Sequence, residues 1–286
     1  MYKAKAIIED YRLQAITGME GAWIIWERSI IPTLLAGCGS WIGIGKKIYD
    51  KVDEIQNEYL RMIYSCPPTT PKPALRSQAG MLDCKHRIWI EKVCVVANIL
   101  HGKEEQEENY AREILKEQME QGWEGLTTEV AEICLMAGLQ NVCKEHLNRK
   151  EVVEAIEFHH MKEVKEQMEP LKKMAKLKMK DTRSMQTYMK QKSLENSRLE
   201  FQWQTNMIDT RENMKGKYPK DRYECPHCPE GRQPGGSLES SDHLLVCRVY
   251  KDLREGLDPE LVEGDRATYL RKVIIRRTAL ERQLRL

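Results

Sequence analysis

IYDKVDEIQNEYLRMIYSCPPTTPKP, residues 48–73, decides what kind of fold this chain takes. Ile48, Val52, Ile55, Tyr59, Met62 and Ile63 recur at three- and four-residue steps, which puts them on one face of an α-helix. The four prolines at 67, 68, 71 and 73 must end that helix, because proline lacks the donating N–H and collides with the preceding turn. Downstream, Trp89, Val93, Val96 and Leu100 keep the same spacing. With Ile88, Ile90, Val95 and Ile99 they make a helix that is apolar nearly all round, so it belongs in the core. Upstream, Trp23, Ile24, Ile25, Trp26, Ile30 and Ile31 mark a third buried segment. Residues 1–101 thus read as a compact helical domain.

The rest of the chain is helical in a different way. Residues 101–125 are acidic and polar, a surface helix, and 126–147 supply a short one carrying Val130, Ile133, Cys134, Met136 and Ala137. From Glu151 to about Thr210 a long Met-rich pattern runs on, interrupted at Pro170. Methionines at this spacing read as packing side chains rather than ligands. No stretch reads as a strand. The expected fold class is mainly α, in three parts: the helical domain 1–101, a helical connector 102–214 that is acidic and then Lys/Met-rich, and a small C-terminal module 215–286 ending in a basic helix over about 265–283. That helix places Leu270, Val273, Ile274, Arg277 and Leu280 on one side.

Charge is balanced in total, with 46 Lys+Arg against 44 Asp+Glu, but it is unevenly spread. Residues 101–160 carry net −8 and residues 161–286 net +7. Within the latter, 171–192 holds eight basic side chains against Asp181 alone, and 266–286 seven against Glu281 alone. Clustered positive charge is where phosphates dock and release counterions; it also suits a solvated helix face. The uncharged run 29–45 contains Pro32 and four glycines, which suits a buried helix ending in a turn better than a membrane span. Met1–Asp10 lacks the apolar centre of a signal peptide. The nine cysteines are therefore expected as free buried thiols and a metal site rather than disulfides, in a reducing compartment, nucleus or cytoplasm.

Four residues carry chemistry. ECPHCPEGRQPGGSLESSDHLLVCR, residues 224–248, contains Cys225, Cys228, His243 and Cys247 in the spacing C-x2-C-x14-H-x3-C. A Cys-x2-Cys turn brings two thiolates to one point, and His243 and Cys247 share a helix face. Ser241 is a plausible N-cap, and Pro234-Gly235-Gly236 lets the chain reverse. The set suits a structural zinc with no open position; an unliganded or redox cluster is the other reading. His227 is expected to point away. Lys172, Lys173, Lys176, Lys178 and Lys180 offer one positive surface, and Arg271, Lys272, Arg276 and Arg277 another. Other candidates fail. GCGSWIGIGKK (37–47) has Ser40 and Lys47 where a phosphate loop needs Gly and Ser/Thr. Cys134, Cys143 and His146 read as core neighbours, and His159-His160 as surface. No nucleophile triad and no aspartate cluster has a recognisable context, so neither a catalytic site nor a small-molecule substrate is expected.

The order of these features resembles a known family. ITGMEGAWIIWERSIIPTLLAGCGSWIGI (16–44), then KVDEIQNEYLRMIYSCPPTTPKPALRSQAGML (51–82), is similar to the region after the catalytic palm in reverse transcriptases of non-LTR (LINE-type) retrotransposons. The resemblance rests on the helix with Trp26 and Pro32, Ile55-Gln56-Asn57 and Leu60-Arg61, the Pro-Pro-Thr-Thr-Pro stretch, and Gly80. In that family this region forms the helical thumb, and a Cys-Cys-His-Cys zinc knuckle follows near the C-terminus, matching Cys225, Cys228, His243 and Cys247. The likeness covers roughly 10–100 and 198–255. It implies a transposable-element protein that binds RNA or DNA through phosphates and packs against the palm and fingers of the parent polymerase. The family's fingers and palm, with the paired aspartates, would lie before residue 1, and no stretch reads as an endonuclease, so the expectation is a non-enzymatic fragment. Two alternatives stand beside it: a helical zinc-containing scaffold for protein partners, and a decayed element fragment without function.

Overall fold

The computed structural model of the chain describes residues 11–102, 110–140, 142, 147–171, 176–177, 185–190, 193–210, 224–229, 238–257 and 263–283, with backbone alone at 11–17 and 263–264. Among them the fold is mainly α, with no strand and one isolated bridge between Glu224 and Leu238. The helices are α1 Tyr11–Ile25, α2 Ile31–Leu34, α3 Lys46–Tyr64, α4 Lys72–Ala79, α5 Cys84–His101, α6 Tyr110–Gln121, α7 Leu126–Ala137, α8 Arg149–Met168, α9 Leu194–Gln204, α10 Ser241–Val246 and α11 Glu263–Gln283. No described helix is long and apolar enough to cross a membrane.

The opening stretch forms α3 and its stop. The helix ends at Tyr64, where Ser65 turns left-handed at φ 50° and the Cys66 N–H donates back to the Arg61 carbonyl. Pro73 does not extend the break; it sits in the first turn of α4, where its missing N–H costs nothing. α4 ends on Gly80 at φ 64°, a conformation that a side chain would strain. The uncharged run is more broken than a single helix. A π turn, Trp26–Ile30, leads into α2, and a 3-10 turn spans Cys38–Ser40. Pro32 has no N–H for the Arg28 carbonyl, and the wide turn just before it absorbs the misfit.

Three main cores follow. The first gathers Trp26, Tyr59, Leu60, Ile63, Tyr64 and Leu75, joined by Tyr188, Leu194 and Phe201 from far along the chain. The second packs Trp89, Val93 and Val96 of α5 against α6, α7 and α8 through Leu115, Val130, Ile133, Val152 and Ile156. The third surrounds the C-terminal cysteines. α5 lies between the first two because it is apolar nearly all round: Cys84 and Ile88 face one and Trp89, Val93 and Val96 the other. The boundary at residue 101 therefore falls inside the second core, and 188–201 belongs to the first. Described parts of 102–214 pack on the N-terminal helices, through Leu115, Val130 and Ile156 in the second core and Tyr188 and Phe201 in the first.

Candidate metal centre

Cys225 and Cys228 lie on a turn just after Glu224, whose bridge to Leu238 brings the two ends of the intervening loop together. Pro234-Gly235-Gly236 fall outside the described residues. α10 then carries His243 back toward the pair. Its N-cap is Ser240, one residue earlier than expected, with the hydroxyl oxygen accepting from the His243 N–H at 3.0 Å. Cys247 follows the helix directly, and its N–H donates to the His243 carbonyl at 2.8 Å. One helical turn thus presents the imidazole and the third sulfur together.

One ligand atom from each of Cys225, Cys228, His243 and Cys247 lies within 4.8 Å of all the others, a group that could hold a metal ion. His243 Nε2 stands 3.5 Å from Cys228 Sγ. The three sulfurs are buried. The Cys247 thiol, His243 and the backbone N–H groups of Cys228 and His227 all favour a thiolate on Cys225, pulling it down to about 3 against the effect of burial. Cys247 beside it is pushed up, first by that same Cys225 interaction and then by burial. His227 is outside the group; its ring packs edge-on to Tyr250 at 6.3 Å. Tyr250, Tyr269, Leu270 and Val273 close the core around the cluster, and the Tyr269 hydroxyl donates to the Leu244 carbonyl at 3.1 Å.

The basic residues separate in space. Arg271 and Lys272 are exposed on α11, and Arg276 is half-buried beside them. Arg271 pairs with Glu195 at 3.1 Å and Arg276 with Asp252 at 2.6 Å. Arg277 points inward, a correction to its place on the positive surface: it is 7% exposed, bound to both Glu239 oxygens at 3.0 and 3.1 Å and to the Asp209 carbonyl. Its neighbours Leu270, Val273 and Ile274 set that face, and a buried carboxylate makes the position tolerable for a guanidinium. Lys176 pairs with Asp242 at 2.5 Å and covers the Trp203 ring. Lys172, Lys173, Lys178 and Lys180 lie outside the described residues, as do Cys143 and His146. Cys134 is a core thiol as expected.

His159-His160 do not form a surface pair. His160 is buried, with Nε2 3.8 Å from Asp83 Oδ2, and His159 Nδ1 lies 3.3 Å from Nε2 of the fully buried His86. Asp83 caps α5, accepting from the His86 N–H at 2.8 Å and contacting its Nδ1 at 2.6 Å, and Arg76 holds its other oxygen at 3.1 Å. Glu163 Oε2 is 3.5 Å from His86 Nε2. One signal for this network was legible: His159 and Glu163 are four apart on a helix, and so face the same way. Its partner His86 is 73 residues away from His159, and no local pattern pairs them.

Compared with family models, curated proteins and solved structures, the chain finds no match in any of the three.

Proposed function

We propose that this chain is a nucleic-acid-binding, non-catalytic C-terminal part of a reverse transcriptase of the non-LTR retrotransposon type, acting inside the cell in nucleus or cytoplasm. Phosphates of RNA or DNA are its ligand, and shape rather than base sequence is what it reads. The observation that carries the reading is the two-faced final helix. Leu270, Val273 and Tyr269 on its inner face are packed into the core of the Cys/His cluster, while Arg271, Lys272, Arg276 and Arg282 stand on the outer side. The ion pairs of Arg271 and Arg276 are on the surface, where such pairs contribute little, so a phosphate can replace the carboxylate.

The ion in the cluster is proposed to be zinc. Three thiolates and an imidazole are its preferred structural set, and zinc–sulfur bonds of about 2.3 Å give tetrahedral edges of about 3.8 Å. With a zinc–nitrogen bond of about 2.0–2.1 Å the sulfur–nitrogen edge is about 3.6 Å, and Cys228 Sγ lies 3.5 Å from His243 Nε2. The zinc orients the basic helix and supplies folding energy to a loop-rich unit.

Fluorescence anisotropy with a labelled RNA–DNA duplex tests the binding. Three phosphate contacts predict about a 40-fold loss of affinity between 50 and 200 mM salt. The Arg271→Ala/Lys272→Ala/Arg276→Ala variant should bind more weakly and flatten that dependence. Affinity indifferent to salt would refute the phosphate account. Elemental mass spectrometry should find zinc that Cys225→Ser/Cys228→Ser lowers by one per chain.

A protein-interaction scaffold is the second reading. It is favoured by large apolar side chains exposed on the acidic middle helices, Leu135 at 82% and Phe158 at 73% among them. Protein partners that stay bound after nuclease treatment would support it.

A further inference from the structure

α5 and α8 pack so that the first turn of α5 faces the second half of α8. There, three donor atoms converge. His86 Nε2 lies 3.3 Å from His159 Nδ1 and 3.5 Å from Glu163 Oε2, and the three ligand atoms all fall within 4.8 Å of one another. For nitrogen and oxygen ligands on zinc, bonds of about 2.0–2.1 Å give a tetrahedral edge of about 3.4 Å. The two edges to His86 match it.

The surroundings have the form that metal-binding histidines need. A carboxylate accepts but cannot donate, so the 2.6 Å contact to Asp83 Oδ1 fixes the proton of His86 on Nδ1. That leaves the Nε2 lone pair directed across the gap to α8. Asp83 is itself held by the His86 N–H and by Arg76, so the ring cannot turn away. An outer carboxylate that orients an imidazole in this way is the usual support of a ligating histidine. The second grouping nearby, Asp83 with His86 and His160, is closed by burial and has its Asp83 oxygens already engaged; it supports the first and offers no separate site.

We propose that His86, His159 and Glu163 bind a divalent transition ion, zinc by their chemistry, in a three-ligand site separate from the cysteine cluster. Two imidazoles and one carboxylate favour zinc over magnesium or calcium, which prefer all-oxygen shells. His159 and Glu163 are half-exposed, so the fourth position is open to water. One group competes. Lys85 Nζ contacts both Glu163 oxygens at 3.2 and 3.3 Å and rests over the Trp89 ring at 4.5 Å. Zinc entry displaces that ammonium from the carboxylate, one cation replacing another. The bound ion ties α5 to α8 across the edge of the second core.

The test uses the full chain, dialysed against low-micromolar free zinc, with metal counted by elemental mass spectrometry and the two sites separated by cobalt substitution. Cobalt on cysteines gives a sulfur charge-transfer band; cobalt on His86, His159 and Glu163 gives only visible d–d bands. The wild type should hold two zinc ions. His159→Ala and Glu163→Gln should each hold one, with the sulfur band unchanged as the sign of an intact fold. Lys85→Gln, at a half-exposed position, should bind the second zinc several-fold more tightly in competition with a chromophoric chelator. A wild type with sulfur-bound zinc alone, a second zinc that survives both His159→Ala and Glu163→Gln, or unchanged affinity in Lys85→Gln would overturn the site. A missing sulfur band with the His159-dependent zinc present would count against the cysteine cluster and leave this site standing.

Discussion

At the scale of single residues, buried charge is decided by its partner. Arg277 and Glu239 lock the start of α10 to α11, and Glu239 is fully buried. Arg277→Ala strands that carboxylate, so it should cost about 3–5 kcal/mol in urea unfolding. Arg271→Ala, which breaks a surface pair, should cost about 1 kcal/mol or less. Equal costs would mean that both arginines face water. Asp83 sets the pH response. Burial opposes its charge, but the hydrogen bond from His86 and the nearby His86, His160 and Arg76 hold its carboxyl well below the usual range. A carboxyl lowered in the folded state stabilises above its unfolded pKa, about 3.9, and loses that contribution as pH falls below it. Glu54, drawn to about 2 chiefly by Lys72, acts in the same direction. Unfolding free energy should therefore fall as pH drops from about 4 to about 2, the interval between the unfolded carboxyl values and that of Glu54. Asp83→Asn should be less stable at pH 7 and show a shallower acid slope.

At the scale of elements, α9 finishes a helix that it does not adjoin in sequence. Arg198 Nε donates to the Ile63 carbonyl at 2.5 Å and Gln202 Nε2 to the Ser65 carbonyl at 2.8 Å, satisfying groups that the end of α3 leaves open. Phe201 stacks on Tyr64 with ring centres 4.0 Å apart. Phe201→Ala should cost about 3–5 kcal/mol, read as a fall in the thermal midpoint of the whole first core. A change confined to local mobility around 194–204 would show that α9 is merely attached there. The helical period of α3 and the proline stop were plain in the sequence. The identity of its C-terminal cap was not, because Arg198 is 135 residues away from Ile63.

At the scale of the whole molecule, the C-terminal unit joins the rest through α9 and α11. Arg266 pairs with the buried Glu200 and lies 3.8 Å over the Trp203 ring. The Cys/His cluster sits in its own core, where Cys225, Cys228 and Cys247 are packed among Ile208, Leu244, Tyr250, Tyr269, Leu270 and Val273. With the proposed zinc bound, its removal by a chelator should release amide protection over 238–257 and 263–283 while leaving α3 and α5 protected, as followed by hydrogen exchange. Loss of protection everywhere at once would make the cluster part of one cooperative unit.

The sequence by itself determined the helical class, the end of α3, the core position of α5 and the four residues of the cysteine cluster. Each of these is local: periodicity within one helix, a proline that has no donor, ligands brought together by a turn and one helical step. Only the tertiary structure decided that 188–201 completes the first core, that Arg277 is buried while Arg271 is not, and that His86 meets His159 and Glu163. Those outcomes depend on which faces meet across tens of residues. An arginine or histidine carries no mark in the sequence of whether the side it faces holds a carboxylate or water.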